Sequence, residues 1–235
     1  MTKGVAVIIG VGPGLGWALA KRFSEEGLSV VCAARNVEKL RALAERDHLE
    51  TVRLHACDAT DADSVAAVFT TTSESLGAPT VVIFNVGAYE RGSILDLRPE
   101  DFERCWRIGC FGGFLVGQAA AKLMVPQAHG TLIFTGATAS LRGSAGFASL
   151  AVPKFGLRAL AQSMARELGP HGIHVAHVII DGQITSERYV HLAAERGPDS
   201  LLDPDEIARA YWHLHCQQRS AWTHELDMRP WVERF

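Results

Sequence analysis

The feature that most limits how this chain can fold is the alternation of short, uniformly apolar runs with stripes of helical period. Strand-like runs cover 5–9, 28–33, 51–56, 80–84, 131–134, 174–180 and 222–227. Most of them lack the polar/apolar alternation of a strand with one wet face, so they need cover on both sides, as in a parallel sheet. Between them, Leu15, Ala18, Leu19 and Phe23 form one helical stripe. Leu157, Leu160, Ala161, Met164, Ala165 and Leu168 form a fuller one. Asp203-Pro204-Asp205-Glu206 is a helix start, with an N-cap Asp, Pro in the first turn and acids beside the positive helix end. Strands separated by helices lead to right-handed crossovers. The expectation is an α/β fold with a mainly parallel, doubly wound sheet of about seven strands flanked by helices. One domain spans 1–235, and residues 183–202 cover the substrate site.

Composition removes several function classes. The chain is 48% hydrophobic and 21% charged, too apolar for a disordered chain. Lys+Arg 23 against Asp+Glu 26 gives −3, so no overall basic field draws nucleic acid or anionic lipid. Five scattered cysteines without a CxxC pair suggest neither a zinc site nor a disulfide framework, and the ten histidines form no ligand spacing; no metal is expected. No apolar run approaches the roughly 20 residues that span a bilayer. Lys3, the apolar stretch after it and Ala18-Leu19-Ala20 imitate a signal peptide, but glycines and Pro13 interrupt the stretch. The mature chain is expected to start at Met1 and to stay in the cytoplasm.

Gly10, Gly12, Gly14 and Gly16 join the first strand to the first helix. Leu15 occupies the last glycine position of a GxGxxG fingerprint, and the spacing that fits is GxxxGxG through Gly10, Gly14 and Gly16. Glycines there permit a tight turn and close approach of a pyrophosphate to the free N–H groups of the helix. A bare glycine turn is the alternative, and the strand-turn-helix context favours phosphate binding in a Rossmann-like domain. The second strand ends Ala33-Ala34-Arg35-Asn36. An NAD site usually has a carboxylate here for the ribose hydroxyls. Ala34 offers none to repel a 2′-phosphate, and Arg35 can pair with one, so NADP(H) is favoured, with NAD(H) possible.

At this point the chain resembles the short-chain dehydrogenase/reductase family. The glycine spacing, Cys57-Asp58-Ala59, Asn85-Val86-Gly87-Ala88, Gly172-Ile173-His174-Val175 and Asp181-Gly182 follow that family's order from about Lys3 to Ser186. The resemblance implies cofactor contacts at Gly10, Gly14, Leu15, Gly16, Arg35, Asp58, Ala59, Asn85, Val86, Gly87, Lys154, Ile184 and Ser186. It also implies a homodimer or homotetramer through the helices after Pro99 and Pro153, which carry Phe102, Trp106, Phe114, Leu157, Leu160 and Met164. The family's chemistry uses a YxxxK pair, a Ser thirteen residues before the Tyr and an Asn on the preceding long helix. Here Lys154 keeps its place, but Leu150, Ala137 and Gly109 stand at the other three positions. Thr138 is one residue from the Ser position, and it serves only if the strand has ended, since one step along a strand reverses the side chain. Lys154 and Thr138 are therefore the candidate catalytic residues.

Three functions remain open from the sequence. One is an NADP(H)-dependent oxidoreductase for a carbonyl or alcohol small molecule, with a non-standard or weakened proton donor. The second is a non-catalytic nucleotide-binding sensor or assembly subunit. The third is a non-redox enzyme of elimination or isomerisation on the same scaffold.

Overall fold

The computed structural model describes residues 4–49 and 52–233. Seven parallel strands form one sheet in the order β3-β2-β1-β4-β5-β6-β7. They are β1 (Val5–Ile9), β2 (Ser29–Ala34), β3 (Val52–Ala56), β4 (Val81–Phe84), β5 (Gly130–Thr135), β6 (Ile173–Ile180) and β7 (Glu225–Met228). Thr51, expected at the start of the third strand, lies outside the described residues. The helices are α1 (Leu15–Glu25), α2 (Glu38–Arg46), α3 (Ala62–Leu76), α4 (Pro99–Trp106), α5 (Gly112–Met124), α6 (Ala148–Leu168), α7 (Val190–Arg196) and α8 (Pro204–His215).

Strand residues alternate between two cores. Ala6, Ile8, Val30 and Cys32 pack with Trp17, Phe23 and Tyr211 of α1 and α8 on one face. Val7, Ile9, Phe84 and Phe134 pack with Phe69, Val116 and Leu157 of α3, α5 and α6 on the other. Both faces are dry, which explains why the central strands read as continuous apolar runs. Asp203 caps α8 by accepting from Asp205 N at 2.8 Å, as its sequence signature requires. The order reverses between β1 and β4, and the crevice beyond the carboxyl ends of those strands is where such sheets bind ligands.

Four expectations need correction. The seventh strand begins at Glu225 rather than at 222, because the Trp222 ring leaves the strand path and stacks on His174 at 5.0 Å. The helix after Pro99 is not uniform: a π-helical turn, Arg107–Phe111, separates α4 from α5 and holds Gly109. Pro153 lies inside α6 instead of before it, so Leu150 and Lys154 stand one turn apart on one helix. The helical stretch Pro99–Gln127 is, by length and hydropathy, apolar enough to cross a membrane. Here it is the crossover from β4 to β5, and Gly112, Gly113, Val116, Gly117, Ala120 and Met124 are its buried face.

The segment 183–202 has a closed base. Ile184 bridges Leu202, Thr185 N donates to Leu202 O at 2.8 Å and Leu202 N donates to Gln183 O at 2.9 Å. Between these ends runs α7, which exposes Val190.

Candidate functional site

The ends of β1 to β4 open on a cleft of about 760 Å³, within the range of small-molecule sites. Gly10, at φ +93°, makes the turn out of β1, and a Cβ there would lie 2.8 Å from the Asn85 carbonyl group. A Cβ on Gly16 would lie 2.7 Å from Val11 Cα, so helix and loop meet only because neither position has a side chain. Gly14 differs: a Cβ there meets nothing within 4 Å and would project into open space. As first-turn residues of α1, Leu15 and Gly16 have N–H groups without intrahelical acceptors. Asn85 fixes the loop by donating through Nδ2 to Gly10 O at 3.1 Å, and Val86 and Gly87 continue the wall. This open, donor-rich turn fits a pyrophosphate.

Ala34, Arg35, Asn36 and Lys39 line the cleft where β2 passes into α2. Beside them, Asp58 and Ala59 follow the end of β3, which pairs with β2. Asp58 Oδ1 accepts from Thr60 N at 2.9 Å and Thr60 Oγ1 at 2.8 Å. These bonds, with the charges of Arg35 and Arg107, hold its carboxyl below the usual carboxylate range. Among the described residues its second oxygen has no hydrogen-bond partner. α4 supplies Glu100, Glu103 and Arg104 to the cleft lining, and the π turn that follows it supplies Arg107 and Ile108. Arg107 was not among the residues expected from the sequence, although the run of charged residues at 100, 103, 104 and 107 carries the signal that marks it.

The chemical end of the site is different. Lys154 is 6% exposed, and its Nζ donates to Thr135 O at 2.7 Å. Burial lowers its pKa to about 8, because the charged ammonium loses water. A Cβ on Gly87 would lie 3.8 Å from that Nζ, which places the ammonium against the cleft's inner wall. One turn before it stands Leu150, half-buried and without a proton to give. β5 ends at Thr135, so Thr138 has left the strand and lies in a 3₁₀ turn. Its hydroxyl hydrogen is donated to the buried Asp181 carboxylate, leaving none for a substrate oxygen. Gly109 faces Pro153, and a Cβ added there would meet Pro153 Cβ at 3.1 Å. The proline thus fills the space from which a longer side chain at position 109 would start.

Neighbouring polar groups are tied up as well. Ser140, fully buried, pairs with His177 Nε2 at 3.0 Å and accepts from Ala137 N at 3.2 Å. Burial, then the Lys154 charge, lowers the His177 pKa to about 4, so its ring carries no spare proton at neutral pH. Ser149 Oγ donates to Glu90 O at 2.7 Å and accepts from Glu90 N at 3.0 Å. Tyr89 stacks on Phe147 at 6.1 Å. Ile184 packs on the α1/α8 core, and Ser186 is exposed; neither lines the cleft. No cluster of three or more metal-ligating side chains occurs among the described residues.

Residues 4–192 match the short chain dehydrogenase family, and the chain belongs to it. It is 30% identical over 230 residues to a (21S)-21-acetoxyl-apo-melianone synthase from Melia azedarach, covering 92% of this chain and 84% of that one. An uncharacterized oxidoreductase of Staphylococcus aureus is 25% identical over 98% of both chains. A short-chain dehydrogenase from Rhodopseudomonas palustris has a similar structure, with TM-score 0.83, 40% identity, and 97% and 98% of the two chains covered. The fold, the cleft and these relatives define an oxidoreductase family that binds nicotinamide cofactors.

Proposed function

We propose that the protein binds NADP(H) and acts as an oxidoreductase on a carbonyl or alcohol small molecule, with a weakened proton donor. The observation that carries the cofactor choice is the β2 edge of the cleft, where Ala34, Arg35, Asn36 and Lys39 present two positive groups and no carboxylate. A guanidinium suits a 2′-phosphate through paired, charge-assisted hydrogen bonds. Asp58 and Ala59 serve the adenine edge, and Asn85, Val86 and Gly87 the inner wall; Ile184 and Ser186, expected on the nicotinamide side, lie outside the cleft lining and take no part in this reading. The bound cofactor supplies the hydride. Lys154 then holds the ribose and, with its pKa lowered to about 8, carries an ionisable proton at this end of the site. Thr138 contributes by fixing the turn after β5 to Asp181.

Titration with both dinucleotides tests the cofactor choice. Arg35→Ala should weaken NADPH binding about tenfold or more and leave NADH within about twofold. Equal affinities in the unaltered protein would contradict it.

A cytoplasmic homodimer or homotetramer is part of the same reading. Trp106, Phe114, Val152 and Phe155 are exposed on the α4, α5 and α6 faces, and Phe111 stacks between Trp106 and Phe114 at 6.0 and 6.3 Å. Leu157, by contrast, is fully buried in the monomer core. Sedimentation at micromolar concentration should show a species larger than the 25.5 kDa monomer; a monomer alone would refute the assembly.

A further inference from the structure

The two walls of the cleft differ in charge. On the β2 side, two cations, Arg35 and Lys39, line it against one acid, Asp58. On the α4 side, Arg107 shares its wall with Glu100 and Glu103, while Arg104 is engaged by Glu90 at 2.5 Å and by Asp101 at 3.3 Å. A dianionic phosphate is drawn to the first wall and gains little at the second, where two carboxylates offset the free cation. A neutral planar base is indifferent to those carboxylates. The Arg107 guanidinium carbon already sits over one aromatic ring, that of Phe111, 5.1 Å from the centroid and beside the Trp106–Phe111–Phe114 stack. Its charge reaches Asp58, as does that of Arg35. Asp58 is therefore acted on by two cations from different elements, one just after β2 and one in the π turn after α4.

We propose that Arg107 is a further binding residue of the adenine subsite, stacking its guanidinium on the base while Asp58 accepts from the base edge. This rests on the NADP(H) reading above. It divides the work of the two arginines: Arg35 distinguishes NADPH from NADH, and Arg107 strengthens both alike. Guanidinium planes stack on aromatic systems, whereas an ammonium is a hydrated point charge without a stacking face.

The test is fluorescence titration of the full chain with NADPH and NADH, for the unaltered protein, Arg107→Met, Arg107→Lys and Arg35→Ala. Circular dichroism melting of each variant verifies that it is folded. Arg107→Met should weaken both dinucleotides about tenfold and keep their affinity ratio within about twofold, and Arg107→Lys should recover little of the loss. Arg35→Ala should change the ratio instead. Unchanged binding of both dinucleotides by folded Arg107→Met overturns the proposal, and so does a loss confined to NADPH, which would make Arg107 a phosphate ligand. Failure of the unaltered protein to bind either dinucleotide would refute the cofactor reading itself, and this proposal with it.

Discussion

The adenosine half of the cleft and the chemical half are built on opposite principles. At the first, side chains have been removed to make room: Gly10 and Gly16 allow backbone to touch backbone, and Gly14 opens on free space. At the second, apolar groups stand at the positions where the family resemblance led one to expect Tyr and Asn: Leu150 is one turn from Lys154, and Pro153 lies where a Cβ on Gly109 would need room. The polar side chains nearby are committed elsewhere, Thr138 to Asp181 and Ser140 to His177. The contrast teaches that a missing catalytic group here is not an empty place that one substitution can refill.

The sharpest way to break the comparison is at the glycines. Gly14→Val should fold normally and lose at least about a hundredfold in affinity for either dinucleotide, because the new side chain enters the ligand's space and not the protein's. Calorimetric titration with a melting curve checks both halves of that statement; retained affinity would show that the nucleotide does not sit on this loop.

A smaller effect is expected from rebuilding the chemical half. Leu150→Tyr with Ala137→Ser should raise carbonyl reduction by about tenfold or more, since a positioned general acid is typically worth 10²–10⁴-fold and only part of the set is restored. Adding Gly109→Asn should cost about 1–3 kcal/mol of stability through its contact with Pro153. Pro153→Ala should recover most of that cost. A triple variant as stable as its parent would show that this half is less filled than the geometry says.

Much of the fold was legible in the sequence because burial on both faces leaves a local mark: the five inner strands appeared as apolar runs within a few residues of their places, whereas the edge strands β3 and β7 carry Arg53, His55, Glu225 and Asp227. The glycine loop was legible for a similar reason, its turn being a backbone requirement carried by adjacent residues. What escaped depends on partners far along the chain. Pro153 reads locally as a helix breaker, yet α6 runs through it, with its first turn pinned by the reciprocal Ser149–Glu90 bonds and Leu157 buried against the sheet. The π turn at Gly109 is matched to Pro153, 44 positions away in sequence, and no local period announces it. The bond from Thr138 to Asp181 joins the turns after two neighbouring strands, so its commitment is visible only once those strands are side by side.

The most direct test of the central claim is to measure NADPH binding and NADPH oxidation on one preparation of the unaltered protein with a panel of aldehydes and ketones. Saturable binding is expected, with turnover absent or at least about a hundredfold below that of a site holding a positioned acid. Any residual rate should fall as the pH rises through about 8, where Lys154 loses its proton, and should vanish in Lys154→Met. Fast turnover that is insensitive to pH in that range and survives Lys154→Met would contradict the account.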